Sequence, residues 1–289
     1  MLKYIVISMR PKQWSKNVLV FAGLLFARDF FLLTKTLQAV VAFVLFSLVA
    51  GSVYLFNDIA DRKQDVLHPK KQHRPIAAGE LSPRAAAFAA FLLTTIGLLF
   101  AFRLEFSFGL VLSAYFGLTC SYTLFFKNII ILDVLFIASG FVLRAVGGTL
   151  AIQEEVSSWL IICTIFLALF MALGKRRAEI IASGEMAGHM RRTLAHYDRH
   201  FVDQLIIIST TACLMAYALY TLDPVTVEKF HTRNLVLTLP FVIYGLFRYL
   251  YLMYHNELGE SPENAIWSDK AILMCLALYI GTVVGIIYF

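Results

Sequence analysis

The feature that most limits this chain is a series of apolar runs, each long enough to be a membrane-crossing helix, that recur along its 289 residues. About 20 apolar residues are needed to cross roughly 30 Å of hydrocarbon. Inside a bilayer every backbone N–H and C=O must find a partner within the protein, so runs of this kind are helical. A soluble fold could not hide them. Sixty per cent of the residues are apolar and 15% are charged, with a mean hydropathy of +0.75, whereas a soluble domain carries about 25% charged residues. The expected fold class is therefore all-α, a polytopic membrane protein of about nine transmembrane helices. They are placed near 17–33, 35–57, 83–103, 106–126, 129–151, 157–174, 202–221, 234–255 and 269–288, with eight spans as the main alternative. No linker, low-complexity segment or clear repeat interrupts the series, so 1–289 reads as a single integral membrane domain.

Orientation follows from the basic residues, because loops facing the cytoplasm are enriched in Lys and Arg. Seventeen loop cations fall on the side of the N-terminus and five on the other. The expected location is the cell (inner or plasma) membrane, multi-pass, with the N-terminus in the cytoplasm. Both long loops, near 58–82 and 175–201, fall on that side and carry most of the polar residues. The active site is therefore expected there. No cleavable signal peptide is expected, since no small-residue cleavage site closes the first apolar run. Cys120, Cys163, Cys213 and Cys275 all sit in apolar runs without metal-type spacing, and are expected to be small buried residues rather than disulfide or zinc partners.

The most informative polar motif is Asn57-Asp58-x-x-Asp61-x-x-x-Asp65, at the end of the second span. Helical continuation would stack its three carboxylates on one face. Three like charges at a helix C-terminus are unfavourable, so a positive partner is expected. Mg²⁺ suits the site, since it takes oxygen ligands and is commonly held by one or two carboxylates plus substrate phosphates. Asp58, Asp61 and Asp65 are the metal candidates and Asn57 a substrate contact. A solvated acidic loop paired with its own Arg and Lys residues is the plainer alternative.

With this motif on the page, the chain resembles the UbiA superfamily of intramembrane prenyltransferases, whose first aspartate-rich motif it matches. The resemblance implies a UbiA-like helical bundle of nine spans with a cytoplasmic active site. A typical member carries a second aspartate-rich motif after the sixth span. Here Gly174-Lys175-Arg176-Arg177-Ala178-Glu179 stands in its place. Cations instead of carboxylates favour an additional anionic group, since Arg binds phosphate bidentately and Lys acts as a point charge. The positive-inside signal alone would also account for this cluster.

Other polar residues join these two clusters. Lys16 and Asn17, in Arg10-Pro11-Lys12-Gln13-Trp14-Ser15-Lys16-Asn17, stand at the head of the first span, where a helix N-terminus favours anions. An interfacial anchor of Trp and basic residues would have the same composition. Arg144 lies within a span and should face the bundle interior, either at a polar cavity or in an ion pair with Asp133 or Glu155. The superfamily resemblance implies that Tyr122 and Lys127 help to hold diphosphate. Arg74 and Glu179 flank the two charged clusters, while the roles of His73, His189, His196 and Tyr197 stay open.

Taken together, these motifs and Phe141-Val142-Leu143-Arg144-Ala145 resemble one branch, the decaprenyl-phosphate phosphoribosyltransferases. That resemblance implies transfer of a 5-phosphoribosyl group from phosphoribosyl diphosphate to a polyprenyl phosphate, with Mg²⁺ and loss of diphosphate. It implies catalytic roles for Asp58, Asp61, Lys16 and Arg144. It implies substrate contacts by Asn17, Asn57, Arg74, Tyr122, Lys127, Lys175, Arg176, Arg177 and Glu179. The partners are then the donor, the lipid phosphate and the bilayer; a homo-oligomer is left open and no nucleic acid is expected. The alternatives are a UbiA-type aromatic prenyltransferase using a prenyl diphosphate and, from another class, a membrane transporter.

Overall fold

The computed structural model describes residues 1–27, 30–67, 71–183, 197–255 and 268–289, and helices are the regular structure of these residues. Residues 68–70 and 184–196, parts of the two long loops, lie outside the described residues, and with them His189 and His196. In chain order the elements are α1 (Leu2–Ser8), a 3-10 helix (Pro11–Phe21), α2 (Ala22–Leu25), α3 (Leu33–Ala60), α4 (Arg62–Leu67), α5 (Pro83–Leu104) and α6 (Phe106–Leu124). There follow α7 (Leu132–Ala151), α8 (Ser158–Ser183), α9 (Arg199–Leu222), α10 (Pro224–Phe230), α11 (Leu239–His255) and α12 (Lys270–Tyr288). Among the described residues, 8 helices are long and apolar enough to cross a membrane. The protein is a multi-pass integral membrane protein.

The first expected span, 17–33, is built differently from the others. Its place is taken by the 11-residue 3-10 helix and the 4-residue α2 that continues it. Pro11 opens the 3-10 helix, where its missing N–H costs nothing and its fixed φ is already suitable. A 3-10 helix rises about 2.0 Å per residue against 1.5 Å in an α-helix, so Pro11–Leu25 reaches about 28 Å where an α-helix would reach about 22 Å. The stretched geometry thus brings a short segment close to the thickness of the hydrocarbon layer. Runs of 3-10 helix beyond four residues are uncommon, and this one is held by side-chain anchors described below.

The chain forms two compact units: Met1–Lys127 with Ser139–Val156, and Asn128–Ala138 with Ser157–Phe289, the boundary falling inside α7. In the first unit α3 is the central helix and packs on α5, α6 and the 3-10 segment. Small residues let the helices approach closely, which favours packing in lipid. Ala86, Ala89 and Ala101 are buried on α5, and a Cβ on Gly97 would meet the Val49 side chain at 2.6 Å. The backbone of Gly148 on α7 abuts the Val20 carbonyl so directly that no Cβ would fit. Ser82 caps α5 by accepting the Ala85 N–H at 3.2 Å, with Pro83 next in line, a standard start signal.

In the second unit α8 packs on α9 and α11 on α12. Phe170, Leu173, Val202, Ile206, Tyr249 and Leu252 form its apolar centre. Asp269 caps α12 by accepting the Ile272 N–H at 2.9 Å, and accepts a hydrogen bond from Arg248 of α11 at 2.9 Å.

Candidate functional site

The acidic motif of the first unit sits where α3 gives way to α4. Asp61 closes α3 with φ −92° and ψ 3°, yet its N–H still donates to the Asn57 carbonyl and its own carbonyl accepts from Asp65, both at 2.9 Å. The path therefore stays nearly helical, and seven residues return Asp65 to the face of Asp58. Arg74 joins the two, with Nη1 3.1 Å from Asp58 Oδ1 and 2.7 Å from Asp65 Oδ2. Arg10 also pairs with Asp58 Oδ1, and its guanidinium lies 4.8 Å from the Tyr54 ring centre. Lys127 Nζ donates to Asp61 Oδ1 at 2.6 Å. Asn57 Oδ1 accepts from the Thr123 hydroxyl at 2.5 Å, tying α3 to α6.

The three carboxylates differ in access. The side chains of Asp58 and Asp65 are 2% and 4% exposed, that of Asp61 29%. A buried carboxylate needs a paired cation, and Arg10 and Arg74 meet that need. Arg10 adopts a left-handed backbone, φ 53°, directly before Pro11. This conformation costs of order 1–3 kcal/mol for a residue other than glycine, and the ion pair with Asp58 offsets part of it. The spacing of the aspartates carried no sign of Arg10 as their partner; its place in the Arg10–Asn17 motif was the available signal. Lys16 and Tyr122 lie half-buried in the same unit.

Arg144 belongs to a different level of this unit. Its Nε donates to Asn17 Oδ1 at 2.7 Å, Nη1 to the Gly140 carbonyl at 2.7 Å, and Nη2 to the Tyr115 hydroxyl at 2.8 Å. The guanidinium also lies 4.7 Å from the Tyr115 ring centre and 5.3 Å from that of Phe141. Asn17 in turn donates to Ser47 Oγ at 3.0 Å. Ser47 precedes Asp58 by eleven residues on α3, about 16 Å of α-helix. One expectation is corrected here: Asp133, offered as an ion-pair partner of Arg144, pairs instead with Arg176. Asn17, 1% exposed, thus links Arg144 of α7 to Ser47 of α3.

The basic cluster of the second unit is largely self-neutralised. Arg176, 1% exposed, has Nε 2.8 Å from Asp133 Oδ2, and pairs also with Glu179. Asp133 is fully buried and accepts the Tyr197 hydroxyl at 2.7 Å, while that oxygen accepts the Ile131 N–H at 2.9 Å. Burial and the bond to Asp133 hold the Tyr197 phenol above the usual tyrosine range. Arg177 donates to Asp203 Oδ1 at 2.7 Å and to the Met253 carbonyl at 3.2 Å, and stacks 4.0 Å from the Tyr254 ring centre. Lys175 is half-buried and the most accessible cation of the three.

Chemically, the aspartates are hard oxygen donors of the kind Mg²⁺ takes. Among the described residues no three His, Cys, Asp or Glu side chains converge into a metal cage. Asp58, Asp61 and Asp65 fit Mg²⁺ as a partial shell, in the usual manner of one or two carboxylates completed by phosphate oxygens and water.

The model of the UbiA prenyltransferase family aligns with residues 17–268, a stretch that includes the aspartate motif. The chain belongs to this family. Relatives named decaprenyl-phosphate phosphoribosyltransferase include one from Mycolicibacterium smegmatis, 31% identical over 98% of this chain and 92% of its own. Another, from Corynebacterium glutamicum, is 32% identical over 97% of this chain and 86% of its own. Among solved structures, a UbiA homolog from Archaeoglobus fulgidus bound to GPP and Mg²⁺ superposes with a TM-score of 0.74, at 18% identity and covering 99% of this chain and 100% of that one. The UbiA fold and a membrane transferase follow for this chain.

Proposed function

We propose that this UbiA-family transferase moves a 5-phosphoribosyl group from phosphoribosyl diphosphate to a polyprenyl phosphate and releases diphosphate. The observation that carries this reading is the set of phosphoribosyltransferase relatives, which align with nearly the whole chain at about one-third identity. Lys175, which stands where a second acidic motif would be expected, supports it further.

In this reading Asp58 and Asp61, with Asp65 behind them, hold Mg²⁺, which when present supplies positive charge against the leaving diphosphate. Lys127, Arg74, Arg10 and Lys16 supply further cations, and preorganised charge of this kind is often the largest catalytic contribution. Asn57 and Tyr122 complete the polar surround. The lipid phosphate attacks C1 of the ribose from the face opposite the diphosphate. The C1–O bond to diphosphate breaks with its electron pair on the departing oxygen, and a C1–O–P bond to the lipid forms. A phosphate monoester is anionic at neutral pH, so the attack needs no strong general base. Lys175 is our candidate for a further phosphate, whereas Arg176 and Arg177 are committed to Asp133, Glu179 and Asp203. Arg144 and Asn17 hold the bundle.

Purified protein given labelled phosphoribosyl diphosphate, Mg²⁺ and polyprenyl phosphate should produce lipid-extractable label. Asp58→Ala and Asp61→Ala should each lower that rate by about 100-fold or more while still eluting as folded protein. Absence of transfer, together with alkylation of an aromatic acid by a prenyl diphosphate, would replace this reading with ordinary prenyl transfer.

A further inference from the structure

We infer that Arg10 and Arg74 are exchangeable counter-ions that make metal uptake at Asp58, Asp61 and Asp65 depend on diphosphate. The inference rests on the reading of these aspartates as a Mg²⁺–diphosphate site, and adds to it an order of events and two residues that enforce it.

The argument begins with charge. Three carboxylates face three side-chain cations: Arg10 and Arg74 on Asp58, Arg74 on Asp65, and Lys127 on Asp61. Each carboxylate already has a cationic partner as it stands. A bare dication entering it would have to displace guanidinium groups from Asp58 and Asp65, which are 2% and 4% exposed. It would leave those cations next to an added charge of two, in a setting where uncompensated charge is costly. A diphosphate arriving with the metal removes the conflict. Its oxygens accept the displaced Arg10 and Arg74 bidentately, and the carboxylates they release accept the metal. The negative charge of the diphosphate thus offsets that of the metal, and every displaced cation regains an anionic partner.

Two features make the exchange feasible. Arg10 and Arg74 are 29% and 26% exposed while Asp58 is buried, so the cations have room to turn away from carboxylates that are fixed. Asp61, paired with Lys127, is the most open of the three, which makes it the first carboxylate an incoming metal meets.

Equilibrium dialysis of the detergent-purified protein against Mn²⁺, with metal measured in both chambers, tests this without any turnover. Wild type should bind Mn²⁺ at least about 10-fold more tightly with inorganic diphosphate in both chambers than without it, a difference of about 1.4 kcal/mol. Arg10→Gln leaves Asp58 paired with Arg74 and should fold; it should bind Mn²⁺ alone at least about 10-fold more tightly than wild type. Arg74→Gln should show the same gain, and Arg74→Lys, which keeps the charge, should not. Equal Mn²⁺ affinity of wild type with and without diphosphate would overturn the inference, as would an Arg10→Gln variant that elutes as folded protein and gains nothing. If wild type binds no Mn²⁺ in either buffer, the metal reading itself falls with it. Diphosphate-dependent binding without phosphoribosyl transfer would uphold the inference and remove only the substrate assignment.

Discussion

Arg176 and Asp133 are both sealed from solvent, and a buried ion pair behaves asymmetrically under substitution. Removing one partner strands the other charge, at a cost of about 3–5 kcal/mol, whereas replacing both can be nearly neutral. Arg176→Met should therefore lower the midpoint of SDS unfolding sharply, and the double variant Asp133→Asn/Arg176→Met should recover most of the loss. A role for Arg176 in holding substrate phosphate predicts the opposite for the double variant's activity, which would stay low despite restored stability. At this scale the sequence was legible where spacing along one helix decides the outcome. Asp58 and Asp65 share Arg74 because seven residues make two turns. It was not legible where packing joins distant segments: Arg144 meets Asn17 across 127 positions and Tyr115 across 29. A side chain's type shows that it needs a partner, and the fold alone determines which one.

The eight long helices of the described residues were readable from hydropathy, whereas the form of the first expected span was not, for a physical reason. Apolar composition shows that a segment belongs in lipid and leaves open how steeply it climbs, so a 3-10 helix over Pro11–Phe21 and an α-helix over the same residues look alike. Its close seat against α7 is also invisible in the sequence beyond the pair Gly147-Gly148. Gly148 touches the Val20 carbonyl, and a Cβ on neighbouring Gly23 would stand 2.8 Å from the Thr149 Cα. Gly148→Ala must therefore push the two segments apart and should cost about 1–3 kcal/mol. Gly117→Ala on α6 meets nothing within 4 Å and should gain about 0.5–1 kcal/mol from helix propensity. Unfolding midpoints of the two variants, compared with wild type, check both signs at once.

For the whole molecule, the surplus of loop cations on one side predicts a topology. If the 3-10 segment crosses beside the eight long helices of the described residues, this surplus puts the N-terminus in the cytoplasm and the C-terminus outside. Membrane-impermeant maleimide added to intact cells should label Glu228→Cys and Phe289→Cys and leave Lys12→Cys unlabelled until the membrane is opened. The reverse pattern would refute the orientation. The 3-10 segment also fixes how many residues can stand between its two moorings. Three residues complete a 3-10 turn, so Pro11–Phe21 acts as a gauge between Arg10 at one end and Asn17, moored to Ser47 and Arg144, further along. Deleting one residue from Lys12–Lys16 would swing Arg10 by about 120° and draw it about 2 Å toward Asn17. The length of this segment therefore sets the charge that Asp58 meets.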